Sequence, residues 1–230
     1  MKLGDPKIAV ESTESTQALL DPSMPEGAIA VANFQTAGRG RLGRTWEAQP
    51  GTALLLSVLL KPPADLPLPQ LALVAGVAVA DVLEHMTRLA VQIKWPNDVM
   101  LRRQKVAGIL AETREGAVVV GIGINVNQTF EQLPERAGSL LTTTGHEWNL
   151  DEVLEEVLDM LGARYEAWLA GGLDAVYDGL APRDFLRGRT VSVNGTSGTA
   201  EMIDRDGRLR ISVGDGKVIA IESGEVTYER

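Results

Sequence analysis

Apolar and polar positions alternate along this 230-residue chain in a way that predicts both strands and helices. Residues 27–34, 52–60 and 117–126 are short apolar runs, and each predicts a strand. The last two runs contain so few polar positions that we expect both faces of those strands to be buried. Residues 91–95 alternate between apolar and polar side chains, which predicts a fourth strand that ends at Pro96.

Two stretches repeat apolar residues at helical spacing and predict amphipathic helices. The first stretch covers residues 71–86, and the second covers residues 150–165. Asn149, together with Glu152, has the spacing of an N-terminal cap for the second helix, and the glycines at 171–172 are expected to end it. Strands interleaved with helices in this way predict one large domain over residues 1–182.

The sequence changes character after residue 182. Three dipeptides that favour tight hairpin turns separate short β-rich pieces: Asn194-Gly195, Asp206-Gly207 and Asp215-Gly216. This spacing predicts a small antiparallel barrel over residues 183–230, appended to the larger domain.

Composition places the chain among ordinary globular proteins, with 44% hydrophobic and 23% charged residues. It contains no cysteine, so disulfides, thiol chemistry and cysteine-bound zinc are excluded. The first ten residues lack the apolar core of a secretory signal, and the longest purely apolar run, residues 71–80, is too short to span a bilayer. We therefore expect a cytoplasmic protein without a membrane partner.

The charge is unevenly distributed. The whole chain carries a net charge of −9, yet residues 39–105 hold nine basic side chains against five acidic ones. A moderately basic centre within an acidic body suits a compact anionic ligand better than a long polyanion, because duplex binding draws on many dispersed phosphate contacts. A nucleic-acid partner is therefore not expected.

Residues 34–46, with the sequence FQTAGRGRLGRTW, are rich in glycine and arginine. The glycines fit the dinucleotide fingerprint and nearly fit a P-loop: Gly38, Gly40 and Gly43. Both motifs require a helix directly afterwards, whereas here a strand is predicted from residue 52, so neither applies. Two interpretations remain: a solvated surface turn, or a mobile loop whose amides and arginines wrap an anion.

A second polar segment, KWPNDVM over residues 94–100, brings a cation, an amide and a carboxylate to the end of a predicted strand. Asp98 has the chemistry of a magnesium ligand. Lys105 precedes an apolar stretch, so its ammonium would be a strong partner for a phosphate or a carboxylate. Taken singly, these residues also fit an ordinary Asn-Asp turn and a solvent-facing lysine.

In order and spacing, five segments together resemble the biotin protein ligases, the biotin–[acetyl-CoA-carboxylase] ligases. They are ESTQ (14–17), QTAGRGRLGRTW (35–46), KWPNDV (94–99), KVAGIL (105–110) and GIGINVN (121–127). The resemblance continues through the C-terminal residues and covers nearly the whole chain. It implies an α+β fold, in which a mixed β-sheet catalytic domain packed with helices precedes a small C-terminal SH3-like β-barrel.

The resemblance implies a two-step ligase reaction. Biotin and MgATP first give biotinyl-5′-AMP, and biotin then passes to a lysine of a biotin carboxyl carrier protein, a subunit of acetyl-CoA carboxylase. A lipoate or octanoate ligase or transferase of the same superfold, and a non-catalytic biotin sensor, are the alternatives. An RNA-binding module fits the arginines less well, because the body is acidic and aromatic residues are few.

Partners beyond the acceptor follow from the same resemblance. Only about ten residues precede the ligase motifs, so the DNA-binding domain that some family members carry is not expected here. Pairing into a homodimer is consistent with the family.

Site residues carry over from the family motifs. Catalytic roles are implied for Lys105, Arg39 and Asp98, with Asp98 as the Mg²⁺ ligand. Biotin-binding positions are Ser15, Thr16, Gln17, Gln35, Gly38, Arg39, Gly40, Arg41, Lys105 and Gly108. ATP-binding positions are Arg39, Arg41, Trp46, Asn97, Lys105 and Asn125. Gln17 stands where the family has asparagine, and Ser12-Thr13 offers a competing register that the helix-like QALL after Thr16 disfavours.

Overall fold

The computed structural model describes residues 1–214 and 216–229 and contains two separate sheets. The first is a seven-stranded mixed sheet, built from β1 (Lys7–Thr13), β2 (Ile29–Gln35), β3 (Ala53–Leu60), β4 (Val91–Lys94), β5 (Asp98–Leu101), β6 (Gln104–Arg114) and β7 (Ala117–Asn125). Its strand order is β1-β2-β3-β7-β6-β5-β4, with β1 and β2 parallel and all other neighbours antiparallel. The four strands predicted from the sequence are confirmed as β2, β3, β4 and β7.

Four α-helices accompany this sheet: α1 (Leu71–Thr87), α2 (Leu140–Thr144), α3 (Leu150–Gly171) and α4 (Tyr177–Leu180). Both predicted helices are confirmed as α1 and α3. Asn149 caps α3 by accepting a hydrogen bond from the N–H of Asp151, and Gly172 ends it with a positive φ of 63°.

Helix α1 forms the centre of the core. It packs against both α3 and the sheet, and its small residues allow this close approach. The stretch Leu68–Thr87 is long and apolar enough to cross a membrane by length and composition, but 67% of its most apolar window is buried inside the protein. Burial on several sides therefore accounts for the apolarity of this helix.

The strands β1 and β5 were not predicted from the sequence, and β6 was indicated only by the apolar stretch after Lys105. The edge strand β1 is mostly exposed or half-buried, so it lacks a strong apolar signal. The turn between β5 and β6 is formed by Arg102 and Arg103, whose φ angles are 47° and 66°. Hairpin rules expect asparagine or glycine at such left-handed positions, so two arginines gave no turn signal.

The second sheet confirms the predicted small antiparallel β-unit. It contains β8 (Thr190–Val193), β9 (Thr196–Ile203), β10 (Leu209–Val213), β11 (Lys217–Ile221) and β12 (Val226–Tyr228), in the order β11-β10-β9-β8-β12. Asn194 and Gly195 both have positive φ and form a two-residue turn, and Gly207 also has positive φ. The third predicted turn includes Asp215, which lies outside the described residues.

Hydrogen bonds hold the second sheet against the first sheet and its helices. The indole N–H of Trp95 donates to the carbonyl of Gly207 at 2.9 Å, and the Tyr177 hydroxyl donates to the carbonyl of Ile203 at 2.7 Å. Next to Asp184, the N–H of Phe185 donates to the carbonyl of Ile93 in β4 at 3.0 Å. The Asp184 carboxylate accepts the N–H of Ile203 at 2.9 Å. Together these contacts bring the C-terminal strand β12 next to the face of the first sheet.

We expect Asp184→Ala to lower the free energy of unfolding by about 2–4 kcal/mol, because it leaves the buried N–H groups of Leu186 and Ile203 without an acceptor. Urea unfolding at neutral pH measures the change. The matched control is Asp174→Ala, which removes an ion pair with Arg205 whose side chains are both 62% exposed. A control loss as large as that of Asp184→Ala would contradict the prediction, since an exposed pair contributes roughly 0–1 kcal/mol.

Candidate active site

A cavity that is partly open to solvent lies between the face of the first sheet and strand β12. Twelve of the fourteen predicted site residues line it: Ser15, Thr16, Gln17, Gln35, Arg39, Gly40, Arg41, Trp46, Asn97, Asp98, Lys105 and Gly108. Gly38 and Asn125 are outside the lining. The sequence motifs, which are far apart along the chain, therefore meet at one place.

Glycines on β6 and β7 form the floor of this cavity. A Cβ atom added to Gly123 would lie 2.5 Å from the Trp46 ring, and one added to Gly121 would lie 2.5 Å from the amide nitrogen of Gln17. At Gly108 the nearest atom of Trp46 would be 2.9 Å away. A side chain is excluded at these three positions because Trp46 and Gln17 pack directly on the glycines. Sequence reasoning treated Gly121 and Gly123 as strand packing, although their spacing of two puts both on one face.

One end of the cavity carries amides and a hydroxyl. The side-chain oxygen of Gln35 accepts the backbone N–H of Thr16 at 2.7 Å and its hydroxyl at 3.1 Å. Gln17 donates its amide to the carbonyl of Leu110 at 2.8 Å, and its buried Oε1 has no partner among the described residues. Residues 12–13 belong to β1, so the later register of the motif is the one that lines the cavity.

The glycine-rich segment folds as a short hairpin over residues 38–46. The N–H of Trp46 donates to the carbonyl of Gly38 at 2.9 Å, and the N–H of Gly40 donates to the carbonyl of Arg44 at 2.8 Å. A Cβ at Gly38 would overlap the carbonyl oxygen of Trp46, which explains that glycine. Leu42, 73% exposed and with a φ of 56°, forms the tip. As expected, the hairpin leads to β3 without a helix between residues 46 and 53, all of which are described.

Asp98 lies between two lysines. The Nζ of Lys105 is 2.6 Å from its Oδ1, and the Nζ of Lys94 is 3.8 Å from its Oδ2. Burial lowers the pKa of Lys94, while the charge of Asp98 opposes that shift. Lys105 also lies 5.6 Å from the centroid of the Trp46 ring, a cation–π contact. The carboxylate thus holds both ammonium groups in the cavity.

Each arginine of the hairpin also has a protein acceptor. Arg39 pairs with Glu112 at 2.5 Å. Arg41 donates to the carbonyl of Gly224 at 3.3 Å and to the Asn97 side chain at 3.5 Å, while Arg44 forms an ion pair with Glu225. The hairpin is therefore held from both sheets.

Sequence reasoning missed the residues that come from the second sheet. Gly224, Glu225 and Val226 line the cavity. They lie in the segment ESGEV (222–226), which belongs to the C-terminal part of the family resemblance, but they were given no role. Lys94 and Arg44 lie inside quoted motifs and were not given roles. Their charge, within a locally basic stretch, was the signal that could have identified them.

Asn125 lies outside the lining, buried at the end of β7. Its Nδ2 donates to the carbonyl of Gly138 at 3.0 Å, and its Oδ1 accepts from Gln128 at 2.9 Å. Its role in ATP binding remains a prediction.

The cavity carries a clear excess of positive charge. Its described lining includes five cations, Arg39, Arg41, Arg44, Lys94 and Lys105, against two carboxylates, Asp98 and Glu225. Within the described ranges, no three or more His, Cys, Asp or Glu side chains gather as a metal cage. Chemically, the arrangement suits two anionic groups held side by side above an apolar, glycine-lined floor.

Comparisons with known proteins agree with this geometry. Residues 9–128 match the profile described as the "Biotin/lipoate A/B protein ligase family". The biotin–[acetyl-CoA-carboxylase] ligase of Mycobacterium tuberculosis is 35% identical over 216 residues, which is 89% of this chain and 80% of that protein. The bifunctional ligase/repressor BirA of Bacillus spizizenii is 35% identical over 224 residues, 90% of this chain and 68% of its own length.

Among solved structures, the biotin protein ligase of Aquifex aeolicus in complex with biotin and ATP superimposes with a TM-score of 0.88 at 34% identity. The alignment covers 97% of this chain and 98% of that one. Sequence, fold and cavity therefore agree that this chain belongs to the biotin/lipoate A/B protein ligase family.

Proposed function

We propose that this protein is an ATP-dependent biotin ligase, which forms biotinyl-5′-AMP and then transfers biotin to a lysine of a biotin carboxyl carrier protein. The observation that carries the proposal is the cluster of five cations beside a wall where Trp46 and Gln17 pack on glycines. Biotin joins a bicyclic body, which carries one polar ureido group, to a carboxylate, and ATP supplies a second anion. The relatives named as biotin ligases support the same reading.

The first step joins two anions. A carboxylate oxygen of biotin attacks the α-phosphorus of ATP, the bond from that phosphorus to the bridging oxygen breaks, and pyrophosphate leaves. Repulsion between the reactants and charge developing on the phosphate both oppose this step. Preorganised cations offset both effects, because they need no rearrangement when the charge develops. Lys105 and Arg39 are the groups we assign to this task.

Biotin fits the cavity in one direction. Its ring system would lie against Trp46, which packs on Gly108 and Gly123, with its ureido group toward Thr16 and Gln35. The unpartnered Oε1 of Gln17 is an acceptor for a ureido N–H. Glutamine is accommodated at this position because Gly121 leaves space for the longer side chain.

ATP brings Mg²⁺ to the site in this proposal. A single carboxylate suits this ion, which usually keeps waters and binds through substrate phosphates and one or two carboxylates. Asp98 is the residue that would hold it, through Oδ2, whose contact with Lys94 is the longer of the two ion pairs. When bound, the ion would neutralise phosphate charge.

In the second step the acceptor lysine, as a free amine, attacks the carbonyl carbon of the mixed anhydride. The bond from that carbon to the phosphate oxygen breaks, AMP leaves, and the amine loses a proton. Until then the intermediate must be kept from water, and the arginine hairpin over the cavity serves that purpose.

We further propose that the chain divides into two domains, residues 1–182 and 183–230. We also propose a cytoplasmic location, where carrier proteins would be encountered.

We expect Lys105→Ala to reduce biotin-dependent exchange of labelled pyrophosphate into ATP by about 10²–10³-fold, as for the loss of one preorganised charge at a reacting centre. The matched control is Lys61→Ala, an exposed lysine at the end of β3 and away from the cavity. It should leave the exchange rate unchanged. Exchange that requires lipoate or octanoate instead of biotin would reassign the substrate. Biotin binding without any exchange would make the protein a sensor and refute the ligase.

The hairpin gives a second test. Gly38→Ala should reduce pyrophosphate exchange by at least about tenfold, because the added methyl overlaps the Trp46 carbonyl and the 38–46 pairing cannot close. Gly40→Ala should lose much less, since its Cβ would come no closer than 3.3 Å to Arg44. Circular dichroism and melting temperature check that both variants fold. A wild-type exchange rate in Gly38→Ala would show that the paired hairpin is not needed.

A further inference from the structure

A short segment after β7 lies along the backbone of Lys105. The N–H of Lys105 donates to the carbonyl of Arg136 at 3.1 Å, and the N–H of Gly138 donates to the carbonyl of Lys105 at 2.9 Å. Residues 136–138 therefore act as an extra parallel strand at this one position, where Lys105 and Ala137 form an isolated bridge.

Lys105 needs this support because the regular ladder is interrupted beside it. It is the second residue of β6, and the pairing with β5 shifts register between Val99 and Met100, opposite residues 105–107. An irregularity of this kind leaves backbone N–H and C=O groups of the strand without partners in the neighbouring strand. The end of β6 is therefore held by fewer hydrogen bonds from the sheet. The position of the Lys105 main chain thus depends on residues 136–138.

Two amides hold that segment in turn. The Gly138 carbonyl can only accept, so Asn125 must present its Nδ2 to it, at 3.0 Å. The Oδ1 of Asn125 then faces Gln128, which must present its own Nε2, at 2.9 Å. The Ser139 hydroxyl completes the ring by donating to the Gln128 carbonyl at 2.7 Å. The orientation of each amide follows from the one before it.

This chain of amides is fully inside the protein. Gln128 is 1% exposed and Asn125 is 4% exposed. Gln128 uses its donor on Asn125, while its buried Oε1 has no hydrogen-bond partner among the described residues. A buried glutamine that satisfies only its donor gains little for stability, since the unpaired acceptor opposes folding. The contribution of Gln128 therefore lies in the group that its donor orients, which is the side chain of Asn125.

We propose that Gln128 is a positioning residue for Lys105, acting through Asn125 and residues 136–138 to fix where the lysine ammonium meets the carboxylate of the bound acid. The inference rests on the proposed function, in which Lys105 contacts that carboxylate. Gln128 does not touch the cavity itself, because it is absent from the described lining.

The test measures how well the protein distinguishes a carboxylate from an alcohol. Calorimetric Kd values are determined for biotin and for biotinol, the analogue whose carboxyl is reduced to an alcohol. The Kd of biotinol divided by the Kd of biotin reports how strongly Lys105 favours the carboxylate over the alcohol. The same ratio in Lys105→Ala gives the value without this lysine. Gln128→Met keeps the volume, removes the donor and removes the unpaired acceptor. We expect it to lower the ratio about fivefold, within the range for residues coupled in one network.

The remaining variants make the result specific. In the Lys105→Ala background, Gln128→Met should change the ratio no further. Gln49→Met, at an exposed glutamine that precedes β3 and lies outside this loop, should keep the wild-type ratio. A wild-type ratio in Gln128→Met, or equal weakening of both ligands, overturns the inference. If wild type and Lys105→Ala show the same ratio, the failure lies instead with the proposed role of Lys105.

Discussion

Five positively charged side chains share one cavity in a protein whose net charge is −9, and they must stay there before any ligand arrives. Without acceptors such cations would repel one another, and the more enclosed of them, such as Lys94, also lose hydration. The structure answers with an acceptor for each cation. Asp98 holds both lysines, Glu112 and Glu225 each pair with an arginine, and the Gly224 carbonyl accepts from Arg41.

This arrangement links the architecture to the chemistry. The acceptors come from β5, from β6 and from the approach to β12, so the cavity has its charge pattern only when both sheets are in place. The buried bonds of Trp95, Tyr177 and Asp184 set the position of the second sheet and thereby the position of Glu225. An incoming carboxylate and triphosphate must exchange partners with these groups. Binding then replaces ion pairs within the protein by ion pairs with the ligand. The net binding energy is therefore smaller than the energy of either set of ion pairs.

The sequence predicted much of this, and its failures have physical causes. Apolar residues located α1, β3 and β7 because these elements are almost fully buried, and apolar periodicity located α3 because it buries one face. It failed for β1, an exposed edge, and for the β5–β6 hairpin, whose turn uses Arg102 and Arg103 in left-handed conformations. Local motifs, read through the family resemblance, named twelve of the cavity residues.

Sequence reasoning could not supply the long-range contacts. Glu225 reaches Arg44 only because of tertiary structure, and nothing near either residue signals the pair. Gln128 is similar, since its position next to Asn125 depends on how the chain turns after β7. Residues that act through a partner leave weaker traces in a sequence than residues that act directly.

The glycine floor has a consequence for attempts to change the substrate. Gly108, Gly121 and Gly123 already present no side chain, so any substitution there can only reduce the space available. A pocket for a bulkier acid must instead be enlarged by trimming Trp46 or Gln17, the side chains that pack directly on the glycines. Directed evolution toward larger analogues would therefore be confined to one side of the cavity, whereas a narrower pocket could be reached from either.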